Sequence, residues 1–407
     1  MIKEKHSHID ADEMQHFYLG IEEKHAKENK GLNTVLTALF FVFIFAFAVI
    51  FWILPDKDVS EAENRALASA PELSFESLAN GSFTKDFASY MADQFPARGF
   101  FVNLKAVSEA ALLKGENNGV IFAKNGYLVK RFDTVDEDTL KENIKYICDF
   151  AEYAKKEGID VTVAAAGRTA DVAHSVLPQI YGTDSSDNTW KIIDSVFSEN
   201  GIEYTDLKTP LATLFDEGEY VYYKTDHHWT SYGAYSAYRV ICDKMGIEPA
   251  EITSFRRETV SDSFYGTTWS SAGAGWIDPD TVEFFRFDGD DELTTDRGDE
   301  SFEGLYKDSF LYEKDKYSAF LGGNAARIDI TSGREREKLL VVKDSFFHSV
   351  APFFAKDFDV TALDLRYYTG SVADVFREEG FDRILILMNV ETLGEESGLR
   401  RIKMGIS

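Results

Sequence analysis

The sequence has few cysteines and few prolines for its length. Of its 407 residues, 2 are cysteine and 8 are proline. It contains no two cysteines separated by two residues and no cluster of cysteine with histidine, so it lacks the spacing typical of zinc sites. Cys148 and Cys242 lie in segments with helical periodicity, which favours two buried side chains, with a disulfide as the alternative. We expect neither a metal nor a cofactor.

Basic residues are scarce relative to acidic ones. The chain has 43 Lys and Arg against 70 Asp and Glu, a formal net charge of -27. A surface with this charge repels phosphate backbones, so we predict no nucleic-acid partner and no broad adhesion to anionic lipids or polymers. The 44% of hydrophobic residues, with 33 Phe and 19 Tyr, is typical of a globular chain with a large core.

One segment lacks charge altogether. Residues 35–54, which begin at Val35 and end at Leu54, form the apolar run VLTALFFVFIFAFAVIFWIL. A helix of this length spans about 30 Å, the thickness of the hydrocarbon core of a bilayer. The run is apolar on every face, unlike a core helix, and longer than the apolar part of a signal peptide. We therefore predict a single transmembrane helix.

The flanking charges predict its orientation. Three lysines lie before the apolar run and three acidic residues lie soon after it: Lys24, Lys27, Lys30, Asp56, Asp58 and Glu61. Because positive charge accumulates on the cytoplasmic side, residues 1–34 are predicted to be a cytoplasmic tail. Residues 55–407 are then extracytoplasmic.

The outer part divides by its pattern. Residues 55–118 combine turn signals with a short helical stretch and predict a stalk that leads into the main domain. The main domain is residues 119–407. Residues 119–132 predict a β-hairpin around the Asn125-Gly126 pair. Residues from about 250 to 338 form a polar insertion with weak periodicity.

Strands and helices alternate through the main domain. We predict strands at 161–167, 220–225, 339–343, 359–365 and 383–389, and helices at 138–157, 187–200, 231–246, 346–357 and 372–380. Such alternation implies right-handed crossovers and a parallel sheet with helices on both faces. The predicted fold class is therefore α/β, with three layers in the order α/β/α.

Polar side chains follow the predicted strand 220–225. Because residues i and i+2 of an extended segment point the same way, Asp226 and His228 face a common pocket and His227 points elsewhere. A carboxylate orients an imidazole and stabilises its protonated form, as a general base requires. Two alternatives are a helix cap at Asp226 with partly exposed histidines, and a metal site formed by Asp226 and both histidines. The metal site is disfavoured because adjacent histidines point apart.

Ser345 lies at a second strand end. The strand 339–343 turns into a helix at Asp344-Ser345, where free backbone N–H groups favour a developing oxyanion. Taken alone, either residue is explained as a helix cap. Combined with Asp226 and His228, Ser345 completes a set of nucleophile, base and orienting acid.

These residues carry a resemblance to a known family. TDHHWT with the downstream KDSF resembles the DHHW family, which is related to the alginate O-acetyltransferases of the SGNH-hydrolase-like superfamily. The similarity extends to ENRALASAPELS, FPAR, FYGT, DKYSAFLGGN, LLVVKDSFFHSVAPFFAKDFDVTALDLRYY and ILILMN. It implies an SGNH-hydrolase-like fold for the main domain.

The resemblance also implies a triad. In the acetyltransferase relatives, the Asp and His of a D-x-H motif act with the Ser of a G-D-S-like motif, and the matching positions here are Asp226, His228 and Ser345. The chain departs from that pattern at Lys343, where glycine is common.

Further residues are candidates for substrate or oxyanion contacts. Arg366 and Asn389 follow later strands, and the resemblance places them near the pocket. Asn324 in LGGN, or backbone N–H groups, are candidates for oxyanion contacts. Trp229 is a candidate for stacking on a sugar ring, as are Trp269, Trp276, Tyr367 and Tyr368.

We predict a membrane-anchored O-acetyltransferase or acetylesterase that acts on a cell-envelope or secreted glycan. Transfer and hydrolysis use the same three residues and differ in how well water is excluded, so the sequence leaves both open. The resemblance implies a partner, a membrane-bound O-acyltransferase that brings acetyl groups to the outer face. The alternative is a non-catalytic glycan-binding or scaffold protein of an acetylation machinery.

Overall fold

The computed structural model describes residues 11–60, 65–132, 135–182 and 184–406. Contacts divide the chain into two compact units. One comprises Met1–Ser60 and Ala66–Arg98, and the other comprises Glu61–Arg65 and Gly99–Ser407. The candidate site lies wholly in the second unit.

The first unit contains the apolar segment. Its helices are α1 (Ala11–Ile53), α2 (Phe75–Ala79) and α3 (Ser82–Asp93), and the two-residue strands β1 (Val59–Ser60) and β2 (Arg65–Ala66) lie near the division between the units. Within α1, Lys30–Ile53 is long and apolar enough to cross a membrane. The helix begins well before the apolar run, and residues 1–10 of the predicted tail lie outside the described residues.

The second unit combines helices and strands in alternation. In chain order its elements are α4 (Arg98–Ala111), β3 (Glu116–Asn117), β4 (Val120–Phe122), β5 (Leu128–Lys130), α5 (Glu137–Lys156), β6 (Val161–Ala166), α6 (Thr169–Val172), α7 (Asp184–Glu199), β7 (Tyr204–Asp206), α8 (Lys208–Asp216), α9 (Ser231–Met245), β8 (Arg256–Phe264), α10 (Thr267–Ala272), β9 (Asp280–Arg286), β10 (Thr294–Asp296), β11 (Ser301–Glu303), β12 (Arg327–Thr331), β13 (Glu337–Lys343), α11 (Ala351–Ala355), β14 (Phe358–Leu363), α12 (Val372–Glu379), β15 (Arg383–Asn389) and α13 (Val390–Glu395).

A large mixed sheet forms the centre of this unit. In the described part of the chain its strand order is β11-β10-β12-β14-β13-β15-β6-β7. The five strands from β14 to β7 pair in parallel, in keeping with the alternating pattern. The insertion 250–338, for which no strand was predicted, adds β12, β10 and β11 as antiparallel strands. These strands have three to five residues each, too few for a clear period in the sequence.

Side chains of the central strands alternate between two cores. In β13, Leu339 and Val341 pack in one core, whereas Leu340 and Val342 pack in the other. Successive residues of a strand point to opposite faces, and both faces are covered here. This explains why the central strands have nearly continuous apolar sequences.

The two cysteines are far apart in this arrangement. Both are free and buried, and Cys148 belongs to one core whereas Cys242 belongs to the other. Burial raises the pKa of each thiol to about 12. The two residues therefore act as small apolar side chains, and the alternative of a disulfide is excluded.

Two local predictions have opposite outcomes. The hairpin forms, with β4 and β5 antiparallel and Asn125 in the left-handed region at φ 60°. The strand at 220–225 is wrong: Tyr222 makes an isolated bridge with Trp229, and the segment is a buried loop. The Asp280 carboxylate accepts hydrogen bonds from the Lys224 N–H (3.0 Å) and the Thr225 N–H (2.7 Å). These backbone groups therefore bond to a side chain, where a strand would bond to the backbone of a neighbouring strand.

Candidate active site

The loop before α9 places Asp226 and His228 together. Asp226 Oδ1 accepts hydrogen bonds from the backbone N–H of His228 (3.0 Å) and from His228 Nδ1 (2.6 Å). Oδ2 accepts from the N–H (2.8 Å) and hydroxyl (3.1 Å) of Thr267, at the start of α10. A Cβ at Gly266 would collide with the Asp226 side chain, so a glycine is required beside this carboxylate. Both oxygens are thus fixed.

The turn after β13 places Ser345. Asp344 is extended, and its carboxylate accepts hydrogen bonds from the N–H of Phe346 (2.9 Å), the N–H of Asn389 (2.6 Å) and the hydroxyl of Thr392 (2.8 Å). These bonds tie the turn to the end of β15. A 3-10 helix, Ser345–Ser349, follows in place of the first turns of the predicted helix.

Ser345 and His228 are in hydrogen-bond contact. Ser345 Oγ lies 2.8 Å from His228 Nε2, whereas Nδ1 of the same ring faces Asp226. A neutral ring that donates from Nδ1 therefore accepts at Nε2 from the serine hydroxyl. Asp226, His228 and Ser345 form a continuous chain of hydrogen bonds, the arrangement that activates a serine nucleophile.

Burial and neighbouring charges set the ionisation of this chain. Burial raises the pKa of the Asp226 carboxyl, but the His227 and His228 rings and the hydrogen bonds outweigh it and bring that pKa well below its ordinary value. Burial, and then His227, lower the pKa of His228 from 6.5 to about 4, against the opposing effect of Asp226. At neutral pH the ring is neutral and able to accept a proton.

We expect the acid limb of the activity profile to follow His228. Because the pKa of the ring is about 4 rather than 6.5, kcat/KM for an acetyl ester should be flat from pH 7 to 5 and fall as His228 protonates. The free energy of unfolding should decrease as the pH falls from 6.5 to about 4, because the histidine is protonated in the unfolded chain over this range but not in the folded one. Initial rates at each pH, with a melting curve at the same pH, check this. A limb near 6.5 in folded protein contradicts it.

Two aromatic residues contact His228 and the segment that begins at Ser345. The Tyr317 ring stacks on the His228 ring with centroids 3.9 Å apart at 9°, and its hydroxyl donates to the Ser345 carbonyl (3.0 Å). Trp229 Nε1 donates to the Phe346 carbonyl (3.1 Å). Trp229 is 0% exposed, so the prediction that it stacks on a sugar is corrected. Its large apolar ring lies in the core and supports the Ser345 segment.

The remaining candidates differ in their access to the site. Arg366 and Asn389 line an open pocket together with Ser345. Arg366 is held by Asp364 through Nε (2.9 Å) and Nη2 (2.6 Å). Asn324 is exposed, is not part of the pocket lining, and accepts from Arg366 Nη2 (3.2 Å).

The Asn389 amide is engaged within the protein. Its Nδ2 donates to the Gly167 carbonyl (2.9 Å) and its Oδ1 accepts from the Glu391 N–H (2.9 Å). Asn389 therefore joins the ends of β15 and β6 and caps α13. An oxyanion contact from this side chain requires one of these bonds to be exchanged.

Asp226, His227 and His228 also resemble a metal-ligand group, with one ligand atom of each within 4.8 Å. However, Asp226 already accepts four hydrogen bonds. His227 Nδ1 contacts the Thr267 hydroxyl at 2.8 Å. The atoms that would bind a metal are thus used in hydrogen bonds within the protein, which favours the chain of hydrogen bonds to Ser345 over a metal site.

Comparisons with known proteins show which families this chain resembles. A family model described as DHHW protein matches residues 213–363, and one described as SGNH hydrolase-like domain, acetyltransferase AlgX, matches residues 120–278. The resemblance to the DHHW family is confirmed. The DHHW tetrad is residues 226–229, and its members divide between the hydrogen-bonded chain, the pocket rim and the core.

A curated relative and two solved structures add to the DHHW match. The probable alginate O-acetylase AlgJ of Pseudomonas syringae pv. tomato is 24% identical over 159 residues, which is 38% of this chain and 40% of that protein, less than half its length. A DHHW family protein from Eubacterium siraeum has a TM-score of 0.58 at 21% identity, covering 70% of this chain and 95% of its own. Bacillus cereus PatB1 with a sulfonyl adduct has a TM-score of 0.56 at 16% identity, covering 69% and 99%. These structures share the fold.

Several residues of the site were missed as functional. Gly266 and Thr267 lie in FYGT, and Tyr317 lies in DKYSAFLGGN. Both stretches were part of the DHHW resemblance, but nothing in the local pattern assigned them a role. Their contacts with Asp226 and His228 join residues at least 40 positions apart in the sequence, so only the tertiary fold reveals them.

Proposed function

We propose that this chain is an O-acetyltransferase or acetylesterase that acts on a cell-envelope or secreted glycan. The observation that carries the proposal is the hydrogen-bonded chain from Ser345 Oγ to His228 Nε2 (2.8 Å) and from His228 Nδ1 to Asp226 Oδ1 (2.6 Å). The AlgJ relative is a probable alginate O-acetylase, which supports acetyl as the group transferred.

The proposed reaction has two halves. Ser345 Oγ attacks the carbonyl carbon of an acetyl ester while its proton passes to His228 Nε2, and the collapse of the tetrahedral intermediate returns that proton to the departing alcohol. The acetyl group is then an ester of Ser345. A sugar hydroxyl attacks this ester with His228 again as base, which regenerates the serine. Water in place of the sugar gives hydrolysis.

The proposal includes an anchored arrangement of the chain. Residues 35–54 cross the membrane with residues 1–34 in the cytoplasm, residues 55–118 form the stalk, and residues 119–407 form a three-layer SGNH-like domain outside. The length and composition of Lys30–Ile53 support the crossing. A membrane-bound O-acyltransferase is the proposed source of acetyl groups, since the donor has to reach the outer face.

Trapping of the acetyl-enzyme tests the proposal. The full chain in detergent is mixed with p-nitrophenyl acetate, quenched in acid and analysed by peptide mass spectrometry. We expect acetyl on the peptide that contains Ser345, its loss in Ser345→Ala, and its retention in the exposed control Ser195→Ala. Addition of a glycan acceptor distinguishes transfer from hydrolysis. If Ser345→Ala turns over as fast as the wild type, Ser345 is not the nucleophile. Glycan binding without any turnover would support the non-catalytic alternative.

A further inference from the structure

A second pocket adjoins the one that contains Ser345. It is lined in part by Arg168, Thr169 and Phe132. Five residues line both pockets: His227, Phe346, Asn389, Glu391 and Glu395. The two pockets are therefore parts of one depression along the carboxyl edge of the sheet.

The sheet order fixes how far apart the two parts lie. Ser345 follows β13, and Arg168 follows β6, with β15 between them. Neighbouring strands are about 4.8 Å apart, so the two strand ends are separated by about 10 Å. A sugar whose neighbour lies at Ser345 therefore reaches Arg168.

Arg168 and Thr169 line this pocket, and each has one buried hydrogen-bonding atom without a partner among the described residues. Arg168 has a side chain only 10% exposed, and its Nε (2.8 Å) and Nη2 (2.7 Å) donate to Asp171. Its Nη1 and the Thr169 hydroxyl are buried and have no partner among the described residues. Buried polar groups are normally hydrogen-bonded, so a pair of unsatisfied ones that line a pocket indicates a ligand. The centroid of the Phe132 ring lies 3.0 Å from the guanidinium carbon of Arg168. A ligand would therefore have to displace this ring to reach Nη1.

The charges around this pocket are compensated. Arg168 is paired with Asp171, Arg131 with Glu116 (3.1 Å), and Lys130 with Glu391. Each cation already has a carboxylate, and Glu395 adds a further negative group to the lining. A uronate carboxylate or a phosphate would therefore meet no uncompensated positive charge. The hydroxyls of a neutral sugar can instead form hydrogen bonds with Arg168 Nη1 and the Thr169 hydroxyl, beside the Phe132 ring.

We propose that this pocket is an acceptor subsite for a neutral sugar residue, with Arg168 Nη1 and Thr169 Oγ1 bonded to its hydroxyls. The role as acceptor rests on the proposed acetyl transfer, whereas binding itself does not. The subsite holds the sugar that neighbours the one acetylated at Ser345. It selects neutral polysaccharides over acidic ones.

Binding to a variant without turnover tests the subsite. The full chain carrying Ser345→Ala in detergent is titrated with cello-oligosaccharides, with matched oligoglucuronates and with glucosamine oligomers. We expect the neutral series to bind most tightly. Adding Thr169→Val, which keeps the shape and removes the hydroxyl, should weaken binding about fivefold. Thr205→Val is the matched control, because the Thr205 hydroxyl is also buried, has no partner in the described part of the chain, and lies outside the pocket.

The outcomes separate the subsite from the proposed function. Equal or tighter binding of the acidic or the amino series, unchanged binding in Thr169→Val, or no binding of any series overturns the subsite. Acetylation of Ser345 in the wild type still upholds the proposed function in each of those cases. Conversely, the expected binding pattern without acetyl-enzyme upholds the subsite and removes the acetyl-transfer role.

Discussion

Replacement of Asp226 by Asn is expected to lower kcat/KM for an acetyl ester by about 10⁴-fold, the order seen when the acid of a serine triad becomes an amide. Asp226 accepts two hydrogen bonds on each oxygen, from His228 on one side and Thr267 on the other. An amide accepts on one side only. Its NH₂ group either faces the Thr267 donors or faces His228, where it forces the ring into the wrong tautomer.

The loss should be confined to the chemical step. Asp262→Asn, the same change at an exposed position of β8, should leave the rate unchanged. Binding of oligosaccharides to the Asp226→Asn variant should persist, because Asp226 does not line the pockets around Ser345 and Arg168. Rates within tenfold of the wild type in a folded Asp226→Asn variant would mean that His228 is oriented by another group.

The parallel core could be read from local pattern. Strands such as β13 and β15 are buried on both faces, so each appears as a continuous apolar run. The strands β10, β11 and β12 of the insertion have only three to five residues each, so their signal in the sequence is weak. The buried loop at 220–225 has the composition of a strand. Its partner, Asp280, lies more than 50 residues later, which no local window detects.

In the candidate site, too, local features could be predicted from the sequence and tertiary contacts could not. The spacing of Asp226 and His228 predicts a shared pocket because it depends on two residues of one segment. The distance between Ser345 and His228 depends on two segments separated by 117 positions, and the resemblance to relatives supplied it. Tyr317 and Thr267 support the site through tertiary contacts alone. A sequence motif indicates which groups react, whereas the fold determines which groups hold them.

Lys343, where the relatives' pattern favours glycine, is a buried cation in the strand that carries Ser345. Its side chain is 0% exposed, and Nζ contacts His348 Nε2 (2.7 Å) and Asp364 Oδ2 (3.2 Å). Burial lowers the pKa of Lys343, with Asp364 opposing, and burial brings the pKa of His348 well below its ordinary value, so the ring accepts from the ammonium. Burial raises the pKa of Asp364, but Arg366 and Lys343 outweigh it.

We expect Lys343→Ala to lower the free energy of unfolding by about 3 kcal/mol, because it removes one partner of a buried pair and leaves a cavity. The value is at the low end for such a change, since the Asp364 carboxylate keeps its three hydrogen bonds with Arg366. Lys343→Met, which retains the length of the side chain, should lose about 1 kcal/mol. The difference between the two variants separates packing from charge.

Urea unfolding of the full chain in detergent, followed by tryptophan fluorescence, measures these effects. Lys141→Ala is the matched control, because Lys141 forms an exposed pair with Glu137 one helical turn away, and such pairs contribute about 0.5 kcal/mol or less. Equal stability of Lys343→Ala and Lys141→Ala would show that the buried cation adds nothing to folding. A loss in Lys343→Met as large as in Lys343→Ala would instead assign the whole effect to the charge, and the lysine would then be an electrostatic requirement of the turn that presents Ser345.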